Sequence, residues 1–113
     1  MFQGCSNLTT APELPATTLA PGCYCNMFEG CSNLTTAPEL PATTLAPSCY
    51  KMMFCYCSSL NSITCAATDI SAEGCTEDWL YDVAYSGTFT TPSSTEWSNG
   101  DSGIPDGWNR VNL

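Results

Sequence analysis

Residues 27–50 read MFEGCSNLTTAPELPATTLAPSCY, and residues 1–24 read MFQGCSNLTTAPELPATTLAPGCY. The frame returns a third time, with more changes, as MFCYCSSL at residues 53–60, so the interval between copies is 26 residues. An interval of about 20–30 residues is typical of repeat proteins in which each copy supplies one strand and one helix or helical turn. One such copy cannot bury its apolar face alone, so the repeat predicts stacked copies that share a continuous core.

The two halves of each copy differ in their predicted structure. Pro38 and Pro41 exclude a helix and an ordinary central strand, which predicts an extended segment with a short bridge to each neighbour. Thr43 or Thr44 then stands where a hydroxyl can cap a helix. Apolar residues near i, i+3, i+4 and i+7 predict that helix, with Gly30 at its end in the first copy. They are Leu45, Cys49, Tyr50, Met52, Met53 and Cys57 in the second copy, and Leu19, Cys23, Met27 and Cys31 in the first.

The expected fold is therefore a short right-handed α/β solenoid with one strand and one helix per repeat. Residues 1–65 hold about two and a half repeats, and residues 66–113 form a C-terminal capping segment. Equivalent side chains should lie one rung apart. The pairs that test this are Phe28 with Phe54 and Leu34 with Leu60.

The sequence after Leu60 departs from the repeat and predicts a cap with a polar outer face. Thr76 begins a predicted helix, because a capping hydroxyl is followed by acids in the first turn. We expect Trp79 and Phe89 to be largely buried in this cap. The other predicted features are an extended stretch at 63–71, a helix face of Trp79, Leu80 and Val83, a strand at 88–91, a polar loop at 92–107 and an edge strand at 108–113.

Charge and composition exclude some classes of partner. The chain has 113 residues, nine cysteines, no histidine and a net charge of −9. Residues 1–65 carry −2 of that charge and residues 66–113 carry −7. Nucleic acid is not expected as a partner, because its phosphates are bound by Lys and Arg. No apolar run approaches the roughly 20 residues of a membrane-spanning helix, and the residues after Met1 lack the composition of a secretory signal.

The repeat frame resembles the BspA-like leucine-rich repeats of bacterial surface proteins. The motifs that carry the resemblance are Met-Phe-x-Gly-Cys-Ser-x-Leu, Ala-Pro-Glu-Leu-Pro-Ala and Cys-Tyr. The closing stretch is similar to the ends of such proteins at residues 68–72, 75–76, 79–80, 87–89, 97 and 103–108. The resemblance implies a leucine-rich-repeat-type solenoid, surface display and a role in adhesion or host interaction. Similar repeats also occur in phage of gut bacteria, and the family assigns no catalytic residues.

The nine cysteines allow three interpretations. A zinc site usually takes paired cysteines with about two to four residues between them, whereas only Cys23-x-Cys25 and Cys55-x-Cys57 occur here. Disulfides are typical of exported proteins, and the candidates outside the repeat register are Cys25, Cys55, Cys65 and Cys75. Register-equivalent cysteines fall on the predicted apolar face, where Cys is a small buried hydrophobe: Cys5, Cys31 and Cys57, and also Cys23 and Cys49. We expect the first three to be buried, reduced and metal-free, which native mass spectrometry would test.

No constellation in the sequence predicts catalysis. The stretch Gly100-Asp101-Ser102-Gly103 resembles the nucleophile motif of chymotrypsin-like proteases, but that mechanism needs a histidine base, so a turn is expected. The stretch from Asn99 also lacks the Glu that completes a calcium loop. We therefore expect no enzymatic activity, no cofactor and no metal site. Five further carboxylates are spaced as a solvated surface rather than as a glycosidase pair: Asp69, Glu73, Glu77, Asp78 and Asp82.

Two functional classes remain. The first is a surface module for adhesion or for binding a protein or glycan on a host or cell surface, and the alternative is a structural spacer or tail-fibre-type component of a phage virion. Near-identical copies favour both over an enzyme, because an active site needs a unique set of residues. The expected location is the cell surface or the extracellular space, with a virion as the alternative.

The residues predicted to form a partner-binding face are Thr10, Glu13, Thr36 and Glu39. The three tryptophans of the closing segment either pack the cap or stack on sugars: Trp79, Trp97 and Trp108.

Residues 1–20 are expected to form an open apolar end. The first extended segment, near residues 8–14, has no preceding copy, which would leave Phe2 and Leu8 exposed beside an unpaired edge. We therefore expect either further copies upstream in the natural protein or end-to-end association through residues 1–20. Light scattering across a concentration series would detect the association.

Overall fold

The computed structural model describes residues 3–113, which contain one sheet of three parallel strands. In sheet order the strands are β1 (Ser62–Thr64), β2 (Gly87–Thr91) and β3 (Trp108–Asn112). Phe89 at the centre of β2 pairs with Ile63 of β1 and with Arg110 of β3. The strands predicted at 88–91 and 108–113 are confirmed.

The predicted α/β solenoid of leucine-rich-repeat type is wrong, because residues 3–113 contain no helix. A helix was expected after Thr43 or Thr44 in the repeat and again from Thr76 in the closing segment. Both regions instead form runs of consecutive tight turns. These runs occupy residues 21–30, 47–56 and 73–82.

Hydrogen bonding in the turn runs alternates between the segment and its neighbour. The N–H of Met53 donates to the carbonyl of Tyr50, three residues back, at 3.1 Å. The N–H of Phe54 donates instead to the carbonyl of Trp79 in the next run, at 3.0 Å. An α-helix would keep all of these bonds within the segment. The turn runs therefore join neighbouring copies through their main chains.

A positive φ at every fourth residue explains why these segments are not helical. In the second run the residues with positive φ are Ser48 (55°), Met52 (53°) and Tyr56 (64°). A right-handed helix excludes such φ angles. In the other two runs the residues with positive φ are Gly, Asn or Asp, which adopt a left-handed backbone at low cost. A turn repeated every four residues also brings side chains i and i+4 to one side. The apolar spacing of the sequence therefore fits both structures.

Replacing Ser48 with glycine should raise the free energy of unfolding by about 0.5–1 kcal/mol. Its equivalents in the neighbouring runs are already glycine, Gly22 and Gly74, and all three positions have positive φ. A left-handed backbone costs a residue with a Cβ about 1–2 kcal/mol, and the greater freedom of glycine in the unfolded chain offsets part of the gain. Ser58→Gly is the matched control, because Ser58 does not have positive φ, and it should lose stability. Urea denaturation of both variants measures the difference, and a loss at position 48 would contradict the turn assignment.

Equivalent side chains lie above one another in the core. The rings of Phe28 and Phe54 have centroids 5.6 Å apart and planes 3° apart, which confirms that they lie one rung apart. Leu34 and Leu60 are both fully buried, and each donates its N–H to the carbonyl three residues back. The predicted stacking is therefore confirmed for Phe28 and Phe54, and it stays a prediction for Leu34 and Leu60. The helix predicted in each copy is wrong.

The closing segment continues the stack. The N–H of Tyr56 donates to the carbonyl of Tyr81 at 2.8 Å, so main-chain hydrogen bonds run from the repeats into residues 66–113. Trp79 and Phe89 are fully buried, as predicted, and their ring centroids are 5.8 Å apart. The division into repeats at 1–65 and a cap at 66–113 stays a prediction.

The extended segments of the second and third copies pair through single-residue bridges, as predicted. Leu40 donates its N–H to the carbonyl of Thr64 and accepts from the N–H of Ala66, both at 3.0 Å. Pro41 stands in the second copy where Ala66 stands in the third, so the equivalent bond to the first copy lacks its donor. Within the described part of the chain, no backbone hydrogen bond joins residues 9–19 to the second copy. The first extended segment therefore stands apart from the second.

The prediction of an exposed apolar end concerned Phe2 and Leu8. Phe2 lies outside the described residues, and Leu8 is half-buried. Leu14, farther along the same segment, is buried. End-to-end association through residues 1–20 stays a prediction.

Candidate functional site

A cleft of about 460 Å³ lies between the extended segments of the first and second copies. One carboxylate from each copy, Glu13 and Glu39, contributes to its lining. The rest of the lining is apolar and consists of Ala11, Leu14, Pro15, Pro38 and Pro41. The cleft exists because the two segments do not pair.

A smaller cleft of about 230 Å³ adjoins the first one and shares Ala11 and Pro38 with it. Threonines from both copies line it: Thr9, Thr10, Thr35 and Thr36. The residues predicted as a partner-binding face therefore come together, two in each cleft, and all are exposed: Thr10, Glu13, Thr36 and Glu39. Their role in binding a partner stays a prediction.

The basic residues of the chain are engaged away from this cleft. The one ion pair among residues 3–113 joins Lys51 to Glu77, with 3.3 Å between the ammonium nitrogen and the carboxylate oxygen. Arg110 donates to the carbonyls of Pro92 at 2.7 Å and Thr95 at 2.6 Å. The two cleft glutamates therefore present their negative charge without a basic side chain of this chain beside them.

The sequence predicts the polar residues of the cleft but not its apolar walls. Pro38 and Pro41 indicate by themselves only that regular structure is excluded. The missed signal is the absent N–H of Pro41. Two adjacent copies that both carry this proline cannot form the bond that Ala66 makes to Leu40.

The prediction of buried thiols in register is partly wrong. Cys31 and Cys57 are buried, whereas Cys5 is exposed. Cys49 is likewise buried, whereas its equivalent Cys23 is exposed. Both exposed members belong to the first copy, which packs against only one neighbouring copy in the described chain. All nine cysteines are unbridged here, and the reduced, metal-free state of Cys5, Cys31 and Cys57 in solution stays a prediction.

Burial keeps the inner thiols protonated. It raises the pKa of Cys57 and of Cys65 to about 12, and the pKa of Cys49 and of Cys55 to about 11. The thiolate, rather than the thiol, is the nucleophile and the metal ligand. These four groups are therefore unreactive thiols at neutral pH.

Residues 100–103 form a turn, as predicted from the sequence. The N–H of Gly103 donates to the carbonyl of Gly100 at 3.1 Å. The Ser102 hydroxyl oxygen accepts from the N–H of Asp78 at 3.0 Å, which ties the turn to the neighbouring run. The five carboxylates expected on a solvated surface are all exposed: Asp69, Glu73, Glu77, Asp78 and Asp82.

Two kinds of feature are absent from residues 3–113. No group of three or more Cys, Asp or Glu side chains is placed to hold a metal ion. No helix of that part of the chain is long and apolar enough to cross a membrane.

Comparison with known proteins identifies no relative. No family model, curated protein or solved structure matches the chain. The resemblance to BspA-like repeats therefore rests on the sequence motifs alone.

Proposed function

We propose that this chain is a non-enzymatic binding module that engages a basic, extended protein segment through the cleft between its first two copies. The observation that carries the proposal is the composition of that cleft. Carboxylates of Glu13 and Glu39 lie beside apolar walls of proline, alanine and leucine. A role in adhesion at a cell surface is proposed on the resemblance to BspA-like repeats alone.

Charge favours a basic partner. The chain carries −9 in total, and its two basic side chains are engaged elsewhere. A surface of one sign speeds the approach of an oppositely charged partner and disfavours acidic ones. Lysine or arginine side chains of the partner would meet the two glutamates, while apolar side chains between them would contact the prolines.

The main chain beside the cleft favours an extended partner. Among the N–H groups of the second segment, those of Ala37 and Leu40 donate to the third copy. The N–H of Glu39 makes no hydrogen bond in the described chain. Extended peptides bind such edges by adding main-chain hydrogen bonds, and their alternate side chains give specificity.

The same cleft argues against catalysis. Its polar residues are matched pairs from equivalent positions, Thr10 with Thr36 and Glu13 with Glu39. Acid–base catalysis by two carboxylates needs environments that push their pKa values apart. Glu13 and Glu39 are both exposed, so neither has the buried environment that would set one carboxylate apart from the other.

Titrating the full chain with a labelled peptide of alternating lysine and valine tests the proposal by fluorescence anisotropy. The double variant Glu13→Gln/Glu39→Gln should weaken binding about tenfold, because two exposed charge pairs contribute together about 1–2 kcal/mol. The matched control is Glu73→Gln/Glu96→Gln, which removes the same charge from exposed positions outside the cleft. It should change the affinity less than about twofold.

Two outcomes would overturn the proposed function. One is the absence of binding at millimolar peptide. The other is an equal loss in both double variants, which would show that the peptide responds only to net charge. A matched peptide of alternating glutamate and valine should not bind.

A further inference from the structure

Four aromatic rings form a continuous column through the core. Tyr24 stacks on Tyr50 with centroids 6.2 Å apart, Tyr50 on Trp79 at 5.8 Å, and Trp79 on Trp97 at 5.3 Å. The planes of successive rings differ by no more than 13°. No further ring of residues 3–113 stacks on Trp97, so the column ends there.

Trp97 is held in a fixed orientation at the end of this column. Its Nε1–H donates to the Thr91 hydroxyl oxygen at 2.9 Å, and Phe89 meets it at 67° with centroids 5.1 Å apart. Trp79 and Trp108 are buried, whereas Trp97 is only half-buried. Trp79 covers one face of the Trp97 ring, and part of the remaining ring surface is exposed.

That exposed part of Trp97 lines an open cleft of about 350 Å³ that is separate from the cleft between the first two copies. Ile70 and Ala72 add apolar surface, and Glu77, Ser98 and Ser102 add polar groups. The Ser102 hydroxyl oxygen already accepts the Asp78 N–H, which leaves its own O–H free to donate. One carboxylate oxygen of Glu77 contacts Lys51 and the other can accept.

We propose that this cleft binds a neutral oligosaccharide, with one pyranose ring packed against the exposed surface of the Trp97 ring. A pyranose has an apolar C–H face and a rim of hydroxyls. An aromatic platform beside a carboxylate and two serine hydroxyls matches both parts, because the carboxylate accepts strong hydrogen bonds and the ring covers the apolar face. The ring is fixed by three contacts before binding, so little conformational freedom is lost.

The charge around the cleft selects against acidic sugars. Residues 66–113 carry most of the negative charge of the chain, and Glu77 lies in the cleft itself. Uronic or sialic acid carboxylates would be repelled there. This saccharide site is independent of the peptide cleft, so either proposal can fail without the other.

Calorimetric titration of the full chain with three neutral tetrasaccharides tests the proposal: β-1,4-linked glucose, β-1,4-linked N-acetylglucosamine and α-1,4-linked glucose. At least one should bind in the micromolar to millimolar range and shift the Trp97 indole N–H resonance. A tetramer of galacturonic acid should bind at least about tenfold more weakly. Failure of all three neutral sugars at millimolar concentration would overturn the proposal.

Three variants locate the site. Trp97→Ala should weaken binding at least about tenfold, and Glu77→Gln and Ser98→Ala should each weaken it about three- to tenfold. The last two leave the ring column untouched, so they keep the test valid if Trp97→Ala unfolds. Glu13→Gln/Glu39→Gln is the matched control and should bind the sugar like the unmodified chain. Unchanged affinity in both Glu77→Gln and Ser98→Ala would overturn the assignment of the site.

Discussion

Replacing Trp79 with alanine is expected to lower the free energy of unfolding by about 3–5 kcal/mol. The ring is fully buried between Tyr50 and Trp97, and Phe89 packs against it at 68°. Its removal would leave a cavity where the repeats meet the closing segment. It would also remove the hydrogen bond of 3.0 Å that the Trp79 indole N–H donates to the carbonyl oxygen of Gly103, and so leave that oxygen without its partner. A loss of this size is a large share of the stability of a domain of 113 residues.

Urea denaturation of Trp79→Ala, Trp79→Phe and Tyr85→Ala separates the contributions. Tyr85 is 98% exposed, so its truncation should change stability by less than about 0.5 kcal/mol. Trp79→Phe keeps a stacked ring but not the hydrogen bond, so its loss should be intermediate. If Trp79→Ala were as stable as Tyr85→Ala, the ring column would not be part of the core.

The stacking of copies could be predicted from the sequence, because identical residues at a fixed interval need identical surroundings. Phe28 and Phe54 are the clearest example, since a large apolar ring repeated at a fixed interval is covered by its equivalent in the neighbouring copy. The strand around Phe89 was also predictable, because β-branched threonines flank an apolar residue. Both predictions depend on local composition or on the repeat interval, which a single sequence displays.

The turn runs could not be separated from helices by apolar spacing. From Cys49 to Met53 to Cys57 the interval is four residues, and over that distance a helix of 3.6 residues per turn differs by only about one residue. What decides the structure is the positive φ at Met52 and Tyr56, residues that do not favour it. Stacking against neighbouring runs, where Gly, Asn and Asp favour the left-handed backbone, imposes it on the second copy.

The polar residues of the candidate cleft were predictable, but its shape was not. Thr10 and Glu13 are polar residues of an extended segment, and both are exposed. The gap lies where Pro41 cannot make the hydrogen bond that Ala66 makes to Leu40, and such a mismatch is a property of two copies together. The half-exposed position of Trp97 depends on how the loop at 92–107 folds back over Trp79, and no local pattern indicates that.

Replacing Gly103 with alanine is expected to lower the free energy of unfolding by about 3 kcal/mol. A Cβ at this position would lie 2.0 Å from the carbonyl oxygen of Ser98, far inside any real contact. That oxygen cannot turn away freely, because it accepts the N–H of Ile104 at 2.9 Å. Relief of the clash would therefore break this bond or move the Gly103 carbonyl away from the Trp79 indole.

Gly22→Ala is the control that separates this clash from backbone strain. Gly22 has a φ of 67° and no atom within 4 Å of the added Cβ, so its cost should be only the left-handed penalty of about 1–2 kcal/mol. Gly103 does not have positive φ, so its larger loss would come from the contact with Ser98. The Trp79 indole N–H resonance should shift in Gly103→Ala and stay in place in Gly22→Ala. A Gly103→Ala protein as stable as the unmodified chain would contradict the close approach of residues 98 and 103, because the added methyl group has no other space to occupy.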